Sequence, residues 1–298
     1  MKAVVIGLLA LMLAACGEPD SAPSVVDPES ETDRSTILPL HLPASPEADQ
    51  RRSTWLQQEH AGWQTAEPEQ PAALADPRAQ LAIVIDDIGH QYVAGRRLLD
   101  LPVPVTLAIL PYTRYATQLA AEAQAAGRPA MLHLPMENAA GLSIGPGGLY
   151  AHMDVEAFKA TLEQTLDSLQ PIVGVNNHMG SLLTSQRPQM DWLMQSLRER
   201  ELFFVDSRTS AETQAAFAAE AAGVPHLSRH VFLDNQRDAQ AIDLAFKRGL
   251  ALARERGFAL LIGHPHSETL AYLERVLPEL ERREGVRVVS VQSLLDQQ

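Results

Sequence analysis

Short aliphatic, often β-branched runs recur along the chain at Leu81 to Ile85, Val103 to Leu110, Ala130 to Leu134, Ile172 to Val175, Leu202 to Val205, Val231 to Leu233, Ala259 to Ile262 and Val286 to Val289. Each has the length and composition of a buried strand. Between them the apolar period changes to three and four. Val155, Phe158, Leu162, Leu166 and Leu169 fall on one helical face behind Asp154, a suitable N-cap. Leu270, Leu273, Val276, Leu277 and Leu280 form another such face, interrupted at Pro278 and ended at Gly285. Strands and helices alternating over eight repeats predict an α/β fold of seven to eight parallel strands, either a (β/α) barrel-like domain or a doubly wound sheet.

The polar pattern then singles out one end of that sheet. Asp86 and Asp87 follow the first run, His133 lies at the end of the third, and Asn176, Asn177 and His178 follow the fourth. Asp206 follows the fifth, Asp234 the sixth, and His264 and His266 the seventh. Taken singly, an aspartate there is a turn or helix cap and a buried histidine is a satisfied core residue. Together, six strand ends carrying ionisable or amide side chains mark the carboxyl-end face where active sites of parallel α/β folds gather.

Composition narrows the chemistry. With 37 acidic against 24 basic side chains the net charge is -13, which disfavours nucleic acid as a partner. Lys2 followed by the apolar run Ala3 to Ala15 reads as an export signal over residues 1–15, too short to span a bilayer. The run ends at Cys16, the single cysteine, and Leu13-Ala14-Ala15-Cys16 resembles the lipobox of bacterial lipoproteins. That implies acylation of Cys16, attachment to a membrane and a periplasmic location; Gly17 rather than an aspartate points to the outer membrane. Nine prolines, with twelve acidic and four basic side chains between Gly17 and Arg78, make residues 16–78 a linker in which Trp55 and Trp63 are the prominent aromatics. The folded domain is expected over 79–298.

The strand ends hold what a metal-dependent hydrolase needs. Asp87, His133 and His178 supply three ligands from three strands for a divalent cation, expected to be Zn²⁺. Asp86 beside them is placed to take a proton and His264 to give one.

At this point the chain resembles the divergent branch of the polysaccharide deacetylases. The matching strings are Ile85-Asp86-Asp87-Ile88-Gly89, His133-Leu134-Pro135-Met136-Glu137, Asn177-His178-Met179-Gly180-Ser181, Val205-Asp206-Ser207, Phe232-Leu233-Asp234 and Gly263-His264-Pro265-His266. The resemblance implies a deacetylase-type barrel, a base at Asp86, a metal ligand at Asp87 and a general acid at His264. It departs at Glu137, which stands where the better-known deacetylases place a second ligand histidine; His178 is read as taking that position, with Glu137 as a weaker ligand or a partner orienting His133. The arginine-and-proline motif of those enzymes is absent. Asn177, Asp206, Asp234 and His266 are read as contacting substrate or supporting the ligands. The glycine-rich stretch Asn138 to Met153 is read as a substrate wall with Tyr150 stacking on a sugar. The resulting expectation is a lipid-anchored hydrolase removing an acyl group, an N-acetyl group first, from an envelope polysaccharide or peptidoglycan fragment. The alternatives are a binding module on the same fold and a glycoside hydrolase using Asp86 with Asp206.

Overall fold

The computed structural model describes residues 78–297, apart from Pro129. The signal-like run, Cys16 and the linker, with Trp55 and Trp63, lie outside the described residues except for the linker's last residue, Arg78.

Nine strands are found among the described residues: β1 (Gln80–Ile88), β2 (Thr106–Ile109), β3 (Ala130–Met136), β4 (Ile172–Met179), β5 (Phe203–Asp206), β6 (His226–Ser228), β7 (Val231–Phe232), β8 (Phe258–Gly263) and β9 (Arg287–Val289). Every pairing is parallel, in the order β6-β5-β4-β3-β2-β1-β8-β7, with β9 beside the start of β1. The connecting helices include α1 (Tyr92–Leu99), α2 (Ala116–Ala125), α3 (Val155–Ser168), α4 (Arg187–Glu199), α5 (Ala215–Ala222), α6 (Ala239–Arg256) and α7 (Ser267–Val276). The chain closes with α8 (Leu280–Glu284) and α9 (Val291–Leu295). The expected cap is present, Asp154 accepting from Ala157 N at 2.8 Å. A 3₁₀ turn at Leu277–Glu279 separates α7 from α8 where Pro278 interrupts the period.

β6 and β7 are two halves of one extended segment. Its first half pairs with β5 and its second with β8, so the two ends of the curled sheet meet along one stretch of chain. This produces the barrel-like form. The strands differ from expectation in several places. β2 begins only at Thr106 because Pro104 has no N–H for the ladder. β6 was not expected, since His226-Leu227-Ser228 offers one aliphatic residue. β1, β4 and β5 run on through polar residues placed after them, so Asp86, Asp87, the Asn176 to His178 triplet and Asp206 lie within strands.

The sheet has two apolar faces, and their phase decides which polar residues meet. Leu81, Ile83 and Ile85 pack with the helices, whereas Ala82, Val84, Ala108, Met131, Val205, Leu260 and Ile262 fill the inside of the curl, closed by Val291 and Leu294 of α9. Because side chains alternate along a strand, the inner series continues from Val84 to Asp86, from Met131 to His133, through Asn176 to His178, and from Ile262 to His264.

Candidate functional site

Asp86 follows that phase, but Asp87 does not and would point outward on a regular strand. The pairing of β1 with β2 shifts register between Ile85 and Ile88, and Asp87 has φ +55°. This irregularity, of the kind that re-aims side chains beside active sites, brings both neighbours to the same histidine: His133 Nε2 lies 3.4 Å from Asp87 Oδ1 and 3.7 Å from Asp86 Oδ2. Aspartate tolerates the left-handed region better than most residues. Gly89 completes the turn at φ +124°, where a Cβ would come within 2.0 Å of Thr113 Oγ1.

Asp87, His133 and His178 converge on one point. His178 Nδ1 lies 3.1 Å from Asp87 Oδ1 and 3.1 Å from His133 Nε2, which with the 3.4 Å separation completes a triangle. Three ligands about 2.0–2.1 Å from a tetrahedrally coordinated cation are separated by roughly 3.3–3.4 Å, so the edges of this triangle suit such an ion. The hydrogen bonding agrees. His133 Nδ1 lies 2.9 Å from Asn176 Oδ1, so the Nδ1 proton donates there and the Nε2 lone pair faces the triangle. Asp87 Oδ1 is buried without a hydrogen-bond partner. A carboxylate oxygen and imidazole lone pairs directed at one point form a cation site by the chemistry of their donors.

The electrostatics divide between the ligands: burial works to lower His133, but the charges of Asp86 and Asp87 and the bond to Asp87 outweigh it and raise the imidazole, a field that a bound cation would offset. Burial works to raise Asp87, but the two imidazoles beside it hold its carboxyl well below the usual range. Burial pushes His178 down against the bond to Asp87, which favours the neutral, ligating form of the ring. Asp86 is raised, chiefly by burial.

A second group lies close enough for the charges of Asp86 and Asp87 to act on it. His264 Nδ1 is 2.9 Å from Asp234 Oδ1, while Asp234 Oδ2 accepts from His264 N at 2.6 Å and Thr269 Oγ1 at 2.8 Å. With Nδ1 so engaged, Nε2 is the nitrogen available to a substrate. Burial opposes charge on His264, but the bond to Asp234 and the fields of Asp234, Asp87 and Asp86 outweigh it and raise the imidazole to about 9. Phe232 stacks on the His264 ring at 5.7 Å, and the buried Arg229 guanidinium covers the Phe232 ring at 3.9 Å.

The sequence model of the divergent polysaccharide deacetylases matches residues 83–295. The chain belongs to this family. Among its relatives, the chain is 36% identical over 205 residues to an uncharacterized protein of Haemophilus influenzae, covering 68% of this chain and 73% of that one. It is 34% identical over 227 residues to the uncharacterized protein YibQ of Escherichia coli, covering 76% and 70%. The crystal structure of uncharacterized protein ATU2773 from Agrobacterium tumefaciens is similar in fold, with a TM-score of 0.69 at 23% identity over 80% of this chain and 94% of that one.

Not every residue singled out in the sequence reaches this group of side chains. Glu137 does not orient His133; its Oε2 accepts from Ala151 N at 2.7 Å and ties down the loop after β3. Asn176 occupies the place proposed for it. Asn177, one residue out of phase, accepts from Ser207 N at 2.8 Å and donates to Met179 O at 2.7 Å. Tyr150 lies against His152 at 5.6 Å within that loop, and no contact ties it to the triangle. His266 stacks beside His264 at 5.6 Å. The alternating phase was the available signal for Asn176, two residues before His178 on one strand. Phe232 opens the matching string Phe232-Leu233-Asp234, whereas nothing in the local sequence marks Arg229.

Asp206 is also out of phase. Its two oxygens accept from Arg208 N at 2.8 Å and Thr213 Oγ1 at 2.9 Å, and it is fully buried. That arrangement makes Asp206 a fastener of the turn after β5 and removes the partner a two-carboxylate glycosidase would need. Asp206→Ala is therefore expected to destabilise the fold by about 1–3 kcal/mol for each donor left unpaired. Thermal denaturation would register this loss while cation affinity, measured by titration, stays at the wild-type value.

Proposed function

We propose that the chain is a metal-dependent hydrolase that removes an acyl group, in the first instance N-acetyl, from a carbohydrate of the cell envelope. The observation that carries this reading is the convergence of Asp87, His133 and His178 on one point, with Asp86 beside them and the Asp234–His264 pair near enough for the charges of Asp86 and Asp87 to act on its imidazole. Membership of the divergent polysaccharide deacetylases supports the reaction class. The signal-like start and Cys16 support the location, as a lipid-anchored protein of the periplasm, on the outer membrane.

Asp87, His133 and His178 would hold the cation, and Zn²⁺ suits their mixed nitrogen and oxygen donors. A bound divalent cation polarises a carbonyl oxygen and lowers the pKa of a coordinated water to about 7. The chain's own residues do the rest. Asp86, fixed through Oδ1 by Asn176 at 2.8 Å, takes a proton from the water that adds to the amide carbon. His264 gives a proton to the nitrogen as the C–N bond breaks, so acetate and a free amine leave. Asp234 holds His264 in the tautomer that presents Nε2.

The test uses the purified chain loaded with Zn²⁺ and offers it N-acetylated chitin oligomers, peptidoglycan fragments and exopolysaccharide fragments. Acetate release matched by free amine is the expected result. Tight sugar binding with no acetate from any substrate would replace the hydrolase with a binding module.

A further inference from the structure

Asn176 is fully buried at the centre of β4, and its amide has a different partner on each side. His133 lies directly opposite it in the β3–β4 register. Its Oδ1 is 2.9 Å from His133 Nδ1, while its Nδ2 donates to Asp86 Oδ1 at 2.8 Å and to Ser207 Oγ at 3.2 Å. An ionised carboxylate only accepts hydrogen bonds and an amide oxygen only accepts. The amide nitrogen must therefore face Asp86 and the oxygen must face His133. One side chain thus touches a proposed ligand and the proposed base with opposite hydrogen-bonding polarity.

Resting on the metal-site reading above, we propose that Asn176 is a positioning residue with two separable tasks: its carbonyl holds His133 in the tautomer that ligates through Nε2, and its amide N–H holds Asp86 back from the cation. The second task follows from distance. Asp86 Oδ2 is 3.7 Å from His133 Nε2, near enough that rotation of the carboxylate would bring it into the ligand set. Tethered through Oδ1, it stays a neighbour able to accept a proton. Untethered, it becomes a fourth protein ligand and closes the position a substrate needs.

Two substitutions separate the tasks. Asn176→Leu removes both bonds, and loss of the group that orients a ligating histidine is expected to weaken Zn²⁺ binding by about 10–100-fold. Asn176→Asp is nearly isosteric and still accepts from His133 Nδ1–H, but it repels Asp86 instead of holding it. In that variant Zn²⁺ should bind as tightly as in wild type or more tightly. The visible spectrum of the Co²⁺-substituted protein should change as Asp86 enters, and return toward wild type in the Asn176→Asp, Asp86→Ala double variant. Both quantities are read on the full chain, by chelator competition for Zn²⁺ and by absorption for Co²⁺, with circular dichroism confirming the fold. Wild-type affinity in Asn176→Leu, weakened affinity in folded Asn176→Asp, or an unchanged Co²⁺ spectrum would overturn the inference and leave the metal site standing. A wild-type protein that takes up neither ion would overturn both.

Discussion

Zn²⁺ is expected to raise the thermal midpoint of the wild-type protein and to leave that of Asp87→Asn unmoved. An ion that binds only the folded state at a hundredfold excess over Kd contributes about 2.7 kcal/mol. For a domain of this size each kcal/mol moves the midpoint by roughly 2–4 °C, so the wild-type shift is roughly 5–11 °C. Asparagine is the informative replacement because it tolerates the left-handed backbone that Asp87 adopts at φ +55°. An alanine there would confuse lost charge with strain. The variant keeps the shape of the side chain and loses the anion between two imidazoles, so it should fold without Zn²⁺ much as the wild type does. Without a water acidified by a cation, acetate release should fall on the order of 10³-fold or more. A full Zn²⁺-dependent shift in Asp87→Asn would remove Asp87 from the ligand set.

The same backbone irregularity marks where sequence reasoning succeeds and where it stops. Aliphatic runs separated by helical periods reveal the parallel strands, because a strand covered on both faces can be little else. Strand phase also reaches the site, since counting by twos from Val84, Met131, Gly174 and Ile262 leads to Asp86, His133, Asn176 with His178, and His264. Asn177 and Asp206 were expected to contact substrate or support the ligands, but by the same count they fall on the other face, where they brace turns. Counting by twos would also exclude Asp87, which reaches His133 and His178 only through a register shift that no periodicity announces. The partners of Glu137 were hidden for a different reason. They depend on how the loop after β3 returns to pair Leu149 with Met136, and on Ala151 N meeting the carboxylate, both long-range events. β6 was hidden because the closing segment changes partner after three residues, from β5 to β8, and so never builds an aliphatic run.

Backbone strain gathers at the same end of the fold. Asp87, Tyr112, Met179 and Arg208, each at or just after the carboxyl end of β1, β2, β4 or β5, all have positive φ. Positions of this kind cost about 1–3 kcal/mol each and persist where surrounding structure over-determines them. The inner apolar series and the fastening bonds of Asn177, Asp206 and Glu137 supply that structure. The site therefore rests on rigid strands, and at Asp87 the irregularity turns a side chain toward the histidines.

His264 carries the second large effect. His264→Ala is expected to lower the rate by about 10²–10⁴-fold, the usual worth of a positioned proton donor, with cation affinity preserved because the ring is outside the triangle. Its pH behaviour distinguishes a donor from a structural histidine. A general acid works while protonated, so the rate should hold at lower pH and fall as pH rises through the imidazole pKa, raised here to about 9 against an ordinary value of 6.5. A cation bound at Asp87 cancels part of the field from Asp86 and Asp87, so the alkaline limb of the loaded enzyme should lie between those two values. Asp234→Asn lacks the carboxylate whose hydrogen bond and charge together raise the imidazole, and should move the limb down toward 6.5. The same sign governs stability: the His264–Asp234 bond supports the fold fully below about 6.5 and loses that contribution as pH rises through the folded value, a loss Asp234→Asn should largely abolish. An alkaline limb that stays in place in Asp234→Asn while the protein remains folded would show that the proton comes from another group.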